Sequence, residues 1–128
     1  MNLSDRCPEA LRLACQWHGR QRRKLSSAPY VAHLLRVAGI VLENDGNEDE
    51  TIAALLHDAI EDQGGAEARE TIRRRFGQAV VQIVDQCSDT DQNPKPPWRR
   101  RKEAFVASLP RLTPSARLVT AADKLDNV

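Results

Sequence analysis

The 128-residue sequence lacks the features that mark several large classes of protein. Charge of neither sign is in excess: 19 basic and 18 acidic side chains give a net charge of +1, which argues against a dedicated nucleic-acid-binding protein. No apolar run approaches membrane-spanning length, and the polar N-terminus has no apolar segment of the kind found in signal peptides. We therefore expect a cytoplasmic protein with neither a membrane nor a nucleic-acid partner.

Cysteine is also scarce. The three cysteines, Cys7, Cys15 and Cys87, form no CxxC pair, and their odd number argues against a disulfide framework. A Cys7–Cys15 disulfide is disfavoured because residues eight apart on one helix lie about 12 Å apart along its axis. We expect reduced thiols in or near the core, in keeping with the cytoplasm.

Almost every segment has the pattern of an amphipathic helix. Apolar residues recur at spacings of three and four, and neither an internal repeat nor a domain linker interrupts them. The β-branched residues at 79–87 would also suit a strand, but no partner strand is evident elsewhere. A polar loop that contains prolines is expected over Ser88–Pro97. The sequence therefore predicts an all-α fold of six to seven helices, as one domain over residues 1–128.

One histidine and three carboxylates lie close together in the sequence: His57, Asp58, Glu61 and Asp62. The apolar residues at 52–60 predict that this segment is the third helix, with the four polar side chains on an arc about 140° wide. That arc contains no lysine or arginine, and like charges three and four residues apart repel each other. A bound cation would relieve the repulsion; the alternative is a solvated polar face.

Two further residues suggest that these polar groups belong to a larger site. His33 lies in the second helix, which is apolar almost all round, and its alternative role is a core histidine bonded to a backbone carbonyl. Asp123 lies among apolar residues of the last helix, where a carboxylate is costly to bury unless it is paired or metal-bound. With His57 and Asp58, these residues would offer two nitrogen and two oxygen ligands, a set that suits manganese, iron or zinc.

Glu61 and Asp62 would then be spare carboxylates next to the metal. A metal of this kind lowers the pKa of a bound water, so that hydroxide is available at neutral pH. One of the two carboxylates could hold or deprotonate the attacking water, and the other could tune the site as an outer partner.

Basic side chains cluster in runs, two of which bear on a phosphate-rich ligand. The run Arg20–Lys24 immediately precedes the helix of His33, so we interpret it as a phosphate or base contact. The run Arg99–Lys102 is interpreted either as a further phosphate contact or as a solvated face. Lys124 lies next to Asp123 and could neutralise the site or touch a phosphate.

The order of these motifs resembles the hydrolase domain of RelA/SpoT-type enzymes, part of the HD superfamily of metal-dependent phosphohydrolases. The segments that carry the resemblance are 22–33, 54–62, 76–77 and 122–127. The resemblance implies an HD-domain helical bundle, a divalent metal that is commonly manganese in this family, and a small-molecule nucleotide substrate. The implied reaction is hydrolysis of a pyrophosphate or phosphate from the ribose 3′ position of a guanine nucleotide such as ppGpp, guanosine 3′,5′-bis(diphosphate).

The resemblance also implies roles for individual residues. The implied metal ligands are His33, His57, Asp58 and Asp123. The implied catalytic pair is Glu61 and Asp62. The implied nucleotide contacts are Arg23, Lys24 and Asn127, to which charge and position add Lys124. Tyr30 matches a recurrent position to which we give a structural role.

Two other functions stay open at the level of sequence. The same fold could act on another nucleotide, such as a nucleoside monophosphate or the 2′-phosphate of NADPH, because the sequence does not fix the base pocket. The domain could also be a non-catalytic nucleotide-binding module, although a pure binder has no need for a water-activating centre. Members of the family continue beyond the position of Asn127 with further helices, so we expect a domain that is truncated at its C-terminus.

Overall fold

The computed structural model describes residues 2–88 and 96–128, and within these ranges it contains no β-strand. The predicted all-α class is confirmed. The helices of the described residues are α1 Arg6–His18, α2 Val31–Glu43, α3 Glu48–Leu56, α4 Ala59–Gln63, α5 Gly65–Phe76, α6 Gln78–Cys87, α7 Trp98–Ser108, a 3-10 helix Leu109–Arg111, and α8 Pro114–Asp126. Residues 89–95 of the predicted polar loop lie outside the described residues.

Two helices that lead to the site begin at strong local signals. Asn47 caps α3: its side chain accepts a 2.8 Å hydrogen bond from the backbone N–H of Glu50, and the Glu50 side chain accepts one of 2.8 Å in return. Thr113 caps α8 by accepting from the N–H of Ala116 at 3.3 Å, and Pro114 takes the first helical position. These caps fix where both helices start, and therefore which side chains reach the site.

Helix α3 lies at the centre of the domain. Every residue from Thr51 to Leu56 is buried, and the helix packs against α1, α2, α6 and α8. Burial on all sides requires apolar side chains at nearly every position, which the run of isoleucine, alanine and leucine provides. The polar residues that follow Leu56 are therefore held among packed helices.

The predicted third helix is interrupted where the polar residues begin. Because α3 ends at Leu56 and α4 begins at Ala59, His57 and Asp58 form a turn and do not lie on one continuous helical face. His57 keeps helical backbone angles, whereas Asp58 has φ −96° and ψ −1°. Apolar periodicity does not register this break, because apolar residues continue on both sides of it. The interruption brings the α-helices of the described residues to eight.

Three smaller features complete the description of the fold. Gly77 ends α5 with a φ of 100°, in the left-handed region that favours glycine. Cys7, Cys15 and Cys87 are free thiols, as expected, but only Cys7 and Cys87 pack against the core; Cys15 is exposed, so its expected place in or near the core is wrong. Of the helices in the described ranges, none combines the length and the apolar composition needed to cross a membrane.

Candidate metal centre

Four side chains from three parts of the fold converge on one point. His33 comes from α2, His57 and Asp58 from the turn after α3, and Asp123 from α8. One ligand atom from each residue lies within 4.8 Å of the other three. Asp123 Oδ1 is 2.8 Å from His33 Nε2 and 3.2 Å from His57 Nε2, which in turn is 3.2 Å from Asp58 Oδ2. The structure thus brings together the four predicted ligands; their role as ligands stays a prediction.

The hydrogen bonds of His57 show that the centre of the cluster needs a positive charge. Its Nδ1 lies 2.6 Å from the backbone oxygen of Ala54, and a carbonyl only accepts, so Nδ1 carries the hydrogen. Nε2 is left facing Asp58 and Asp123, which as carboxylates also only accept. Burial lowers the pKa of His57, but the charge of Asp58 and the hydrogen bond and charge of Asp123 outweigh it and raise the pKa to about 9. The site therefore favours a proton or a metal cation between these groups, and the donor set suits a divalent ion.

His33 is bonded differently from the core histidine considered as its alternative. Its Nε2 lies 2.8 Å from Asp123 Oδ1 and its Nδ1 lies 2.6 Å from Asp126 Oδ2, so both ring nitrogens face carboxylates. The bond to a backbone carbonyl that the alternative required is made by His57. His33 is therefore held by acidic groups of α8 from both ends of its ring.

Tyr30 orients Asp58. The residue immediately precedes α2, and its hydroxyl donates a hydrogen bond to Asp58 Oδ2. Burial and the charge of Asp58 raise the pKa of the Tyr30 hydroxyl, so it stays protonated and remains a donor. The Tyr30 ring lies 5.4 Å from that of His33, centroid to centroid. The predicted structural role of this residue thus takes a specific form, which is to position a carboxylate of the cluster.

Helix α8 adds charged and polar groups around Asp123. Burial raises the pKa of the Asp123 carboxyl, but hydrogen bonds to His33 and His57 outweigh it, so the pKa lies well below its usual range. Lys124 Nζ lies 3.3 Å from Asp123 Oδ2, and Asn127 Nδ2 donates to Oδ1 over 3.3 Å. Asp123 is therefore ionised and shared by several partners.

A cavity of about 670 Å³ opens beside the cluster. Its acidic lining residues are Asp58, Glu61, Asp62 and Asp123. Its basic and amide lining residues include Arg23, Lys24, Arg101, Lys102, Lys124 and Asn127. Glu61 Oε1 is 3.4 Å from Arg101 Nη1, and Asp62 Oδ2 accepts from Gln21 Nε2 over 3.3 Å. The predicted carboxylate pair and the predicted nucleotide contacts therefore border the same space as two of the cluster carboxylates.

Sequence reasoning left several site residues without a role. Asp126 lies three residues after Asp123, and that spacing was the available signal for a shared helix face. Gln21 gave no signal of its own. The run Arg99–Lys102 divides: Arg101 and Lys102 line the cavity, whereas Arg99 is exposed and pairs with Glu103 at 3.2 Å. A phosphate contact therefore stays a prediction for Arg101 and Lys102, while Arg99 has the exposed position expected of a solvated face.

Residues 10–128 match the family model of the HD domain. The chain belongs to the HD domain family. This HD domain is 38% identical over 123 residues to guanosine-3′,5′-bis(diphosphate) 3′-pyrophosphohydrolase MESH1 of Xenopus tropicalis, over 94% of this chain and 66% of that one. It is 36% identical to the Homo sapiens MESH1 with the same coverage.

A solved structure is similar in fold. It is of a metazoan ortholog of SpoT, described as hydrolysing ppGpp and playing a role in starvation responses, and it matches with a TM-score of 0.88 and 31% identity. The match covers 99% of this chain and 70% of that one. The chain spans 66% of the length of the two curated relatives.

Proposed function

We propose that this HD domain is a metal-dependent phosphohydrolase that converts ppGpp and water to GDP and pyrophosphate. The observation that carries the proposal is the placement of the four-residue cluster, two further carboxylates and several cations around one cavity. The names of the relatives, which are ppGpp 3′-pyrophosphohydrolases, support the choice of substrate. We also propose that the protein acts in the cytoplasm.

His33, His57, Asp58 and Asp123 are the residues that would hold a divalent metal, with manganese proposed and iron or zinc as alternatives. When bound, such an ion supplies Lewis-acid chemistry by lowering the pKa of water and stabilising charge on phosphoryl oxygens. A backbone hydrogen bond orients His57 for metal binding. Ala54 fixes the Nδ1–H tautomer of His57, so Nε2 is the nitrogen offered to the site.

Glu61 and Asp62 are the groups proposed to manage the proton of the attacking water. As the oxygen–phosphorus bond forms, a carboxylate oxygen of this pair takes the proton. The bond between phosphorus and the ribose 3′ oxygen breaks, and that oxygen leaves with the proton that the carboxylate took from water, so the pair returns to its ionised state. Arg101 holds Glu61 and Gln21 holds Asp62, so both carboxylates have a fixed partner on the cavity wall.

Cations around the cavity are proposed to bind the phosphates of the substrate. Arg23, Lys24 and Lys124 line it, together with Asn127. Arginine offers paired N–H donors to phosphate, and lysine offers a mobile point charge. A substrate with two diphosphate arms carries enough negative charge to engage several of these groups at once.

The test is turnover on a nucleotide panel. Purified protein loaded with Mn²⁺ should release pyrophosphate and GDP from ppGpp, and Asp58→Asn should lose both bound metal and turnover. Arg99→Gln, which alters an exposed residue of α7, is the matched control and should retain activity. Cleavage of NADPH or a nucleoside monophosphate but not ppGpp would select the alternative substrate class. Tight nucleotide binding with neither metal nor turnover would select the non-catalytic module.

A further inference from the structure

Asp126, the last residue of α8, joins two parts of the site. Its Oδ2 lies 2.6 Å from His33 Nδ1 and 3.1 Å from Arg23 Nη1. Its Oδ1 lies 3.9 Å from Arg36 Nη1. The side chain is only 9% exposed, although the residue is close to the end of the described chain. A carboxylate buried to this extent needs such partners, and they come from α2 and from the basic loop before it.

The bond to His33 sets the chemistry of that imidazole. Both ring nitrogens of His33 face carboxylates, which only accept, and Nε2 is the one directed to Asp123 and the cluster. With a metal in the cluster, Nε2 would be the ligand atom, and Nδ1 would carry the hydrogen that is donated to Asp126. A carboxylate on the far nitrogen of a histidine ligand fixes its tautomer and ring orientation and makes it a stronger ligand. The His33 side chain is 2% exposed, so water does not compete for this bond.

The bond to Arg23 sets the orientation of a cation on the cavity wall. Arg23 Nη1 donates to Asp126, and Nη2 donates to Asn127 Oδ1 over 3.2 Å. Two bonds to one planar guanidinium fix its plane. Since Arg23 lines the cavity, the group that is fixed is one that a ligand in the cavity meets.

We propose that Asp126 is a positioning residue that holds His33 for metal binding and Arg23 for nucleotide binding at the same time. The inference rests on the proposed function for the nature of the ligand that Arg23 meets. Asp126 lies outside the four-residue cluster, yet its loss should weaken binding of both ligands. One carboxylate outside the cluster thereby links the proposed metal ligands to the proposed nucleotide contacts.

The experiment measures each ligand in the absence of the other. Mn²⁺ affinity is measured by competition with a fluorescent chelator and no nucleotide; ppGpp affinity is measured by calorimetry on metal-free protein. Asp126→Asn, which keeps the size and removes the charge, should weaken Mn²⁺ binding about 10- to 100-fold. It should also weaken ppGpp binding about fivefold or more, the equivalent of losing one oriented contact. Electrostatics alone predicts that Asp126→Asn tightens ppGpp binding, because loss of a negative charge favours an anionic ligand.

Two variants are the controls. Asp58→Asn removes a negative charge from the cluster and should weaken Mn²⁺ binding without weakening ppGpp binding. Val119→Ala removes packing from the same helix and no polar group, since Val119 is fully buried. It should lower the melting temperature and leave both affinities within about twofold of wild type.

The outcomes separate this inference from the proposed function. The positioning role is wrong if Asp126→Asn keeps wild-type Mn²⁺ affinity, if it tightens ppGpp binding, or if Val119→Ala reproduces both losses. A different result would overturn the proposed function and support the positioning role. In that result the wild-type protein binds Mn²⁺ and ppGpp but does not cleave ppGpp, and Asp126→Asn weakens the binding of both ligands.

Discussion

The two sides of the cavity are built in different ways. On the side of the four-residue cluster, His33 and His57 are 1% and 3% exposed and are bonded through both ring nitrogens. On the side formed by α7, no residue of the helix is buried, and Trp98 is 66% exposed. The geometry of the four-residue cluster is thus carried by packed helices, while further cations reach the cavity from a helix with little burial.

This difference has a physical consequence for how substitutions act. A side chain that is held by several buried partners has one geometry, and a substitution that removes this side chain changes the chemistry at the reacting centre. A cation on a poorly buried helix acts mainly by attracting a charged ligand, which salt screens. Polar contacts join the sides, including Arg101 with Glu61 at 3.4 Å and Lys124 Nζ over the Phe105 ring at 5.5 Å. Substitutions should therefore divide into those that change kcat and those that change KM.

The largest effect is expected from His57→Ala on the packed side. The variant loses a ligand atom and leaves Asp58 and Asp123 facing each other without the imidazole between them. Loss of metal-based stabilisation of several kcal/mol corresponds to a fall of about 10³-fold or more in kcat/KM. Metal content by elemental analysis and initial rates on ppGpp measure both losses. Full activity with bound metal in this variant would contradict the assignment of the cluster.

The second effect tests chemistry without removing the metal. Glu61→Gln keeps the shape and the contact with Arg101 but removes the basic oxygen. We expect kcat to fall about 10²- to 10⁴-fold, the usual contribution of a general base, with metal content unchanged. Rates at saturating ppGpp, compared with those of Asp62→Asn, show which carboxylate carries the proton. Retention of wild-type kcat by both variants would remove the pair from the mechanism.

The third effect compares the stability of the two sides. Leu56→Ala removes a fully buried side chain directly before His57, and should lower the free energy of unfolding by about 2–5 kcal/mol. Val106→Ala on α7, where the side chain is 62% exposed, should change it by less than about 0.5 kcal/mol. Urea unfolding of the metal-free proteins measures both. Equal losses would show that α7 is as firmly packed as α3.

The same contrast explains how much the sequence could predict. His33, His57, Asp58 and Asp123 stand out because each is a polar group in an apolar helical segment, and because their order resembles a known family. The turn at His57 and Asp58 could not be predicted, since apolar periodicity continues through it, and its side chains bond to Asp123 of α8 and to Tyr30, which are distant in the chain. Local sequence patterns thus identified the candidate site residues but not the backbone turn that places His57 and Asp58 in the cluster.

The outer partners were harder to assign for the same reason. Asp126 and Gln21 are ordinary polar residues in sequence, and only the folded chain brings them within bonding distance of His33 and Asp62. On α7, a run of like residues gave no basis for separating Arg101 and Lys102, which line the cavity, from Arg99 and Arg100, which are exposed. Such roles depend on contacts between residues distant in the chain, which periodicity does not encode.

The smallest effect on turnover is expected from Arg101→Gln on the α7 side. Loss of one cation at the cavity should raise KM for ppGpp about 5- to 20-fold, the equivalent of 1–2 kcal/mol. Because the glutamine amide can still donate a hydrogen bond to Glu61, kcat should stay within about twofold. Arg99→Gln, the exposed neighbour, should leave both constants unchanged. Because the contribution is electrostatic, the difference between wild type and Arg101→Gln should shrink as NaCl rises from 50 to 500 mM. A fall in kcat as large as that of Glu61→Gln would instead mean that Arg101 acts on the reacting centre through Glu61, and the two sides of the cavity would then work as one unit.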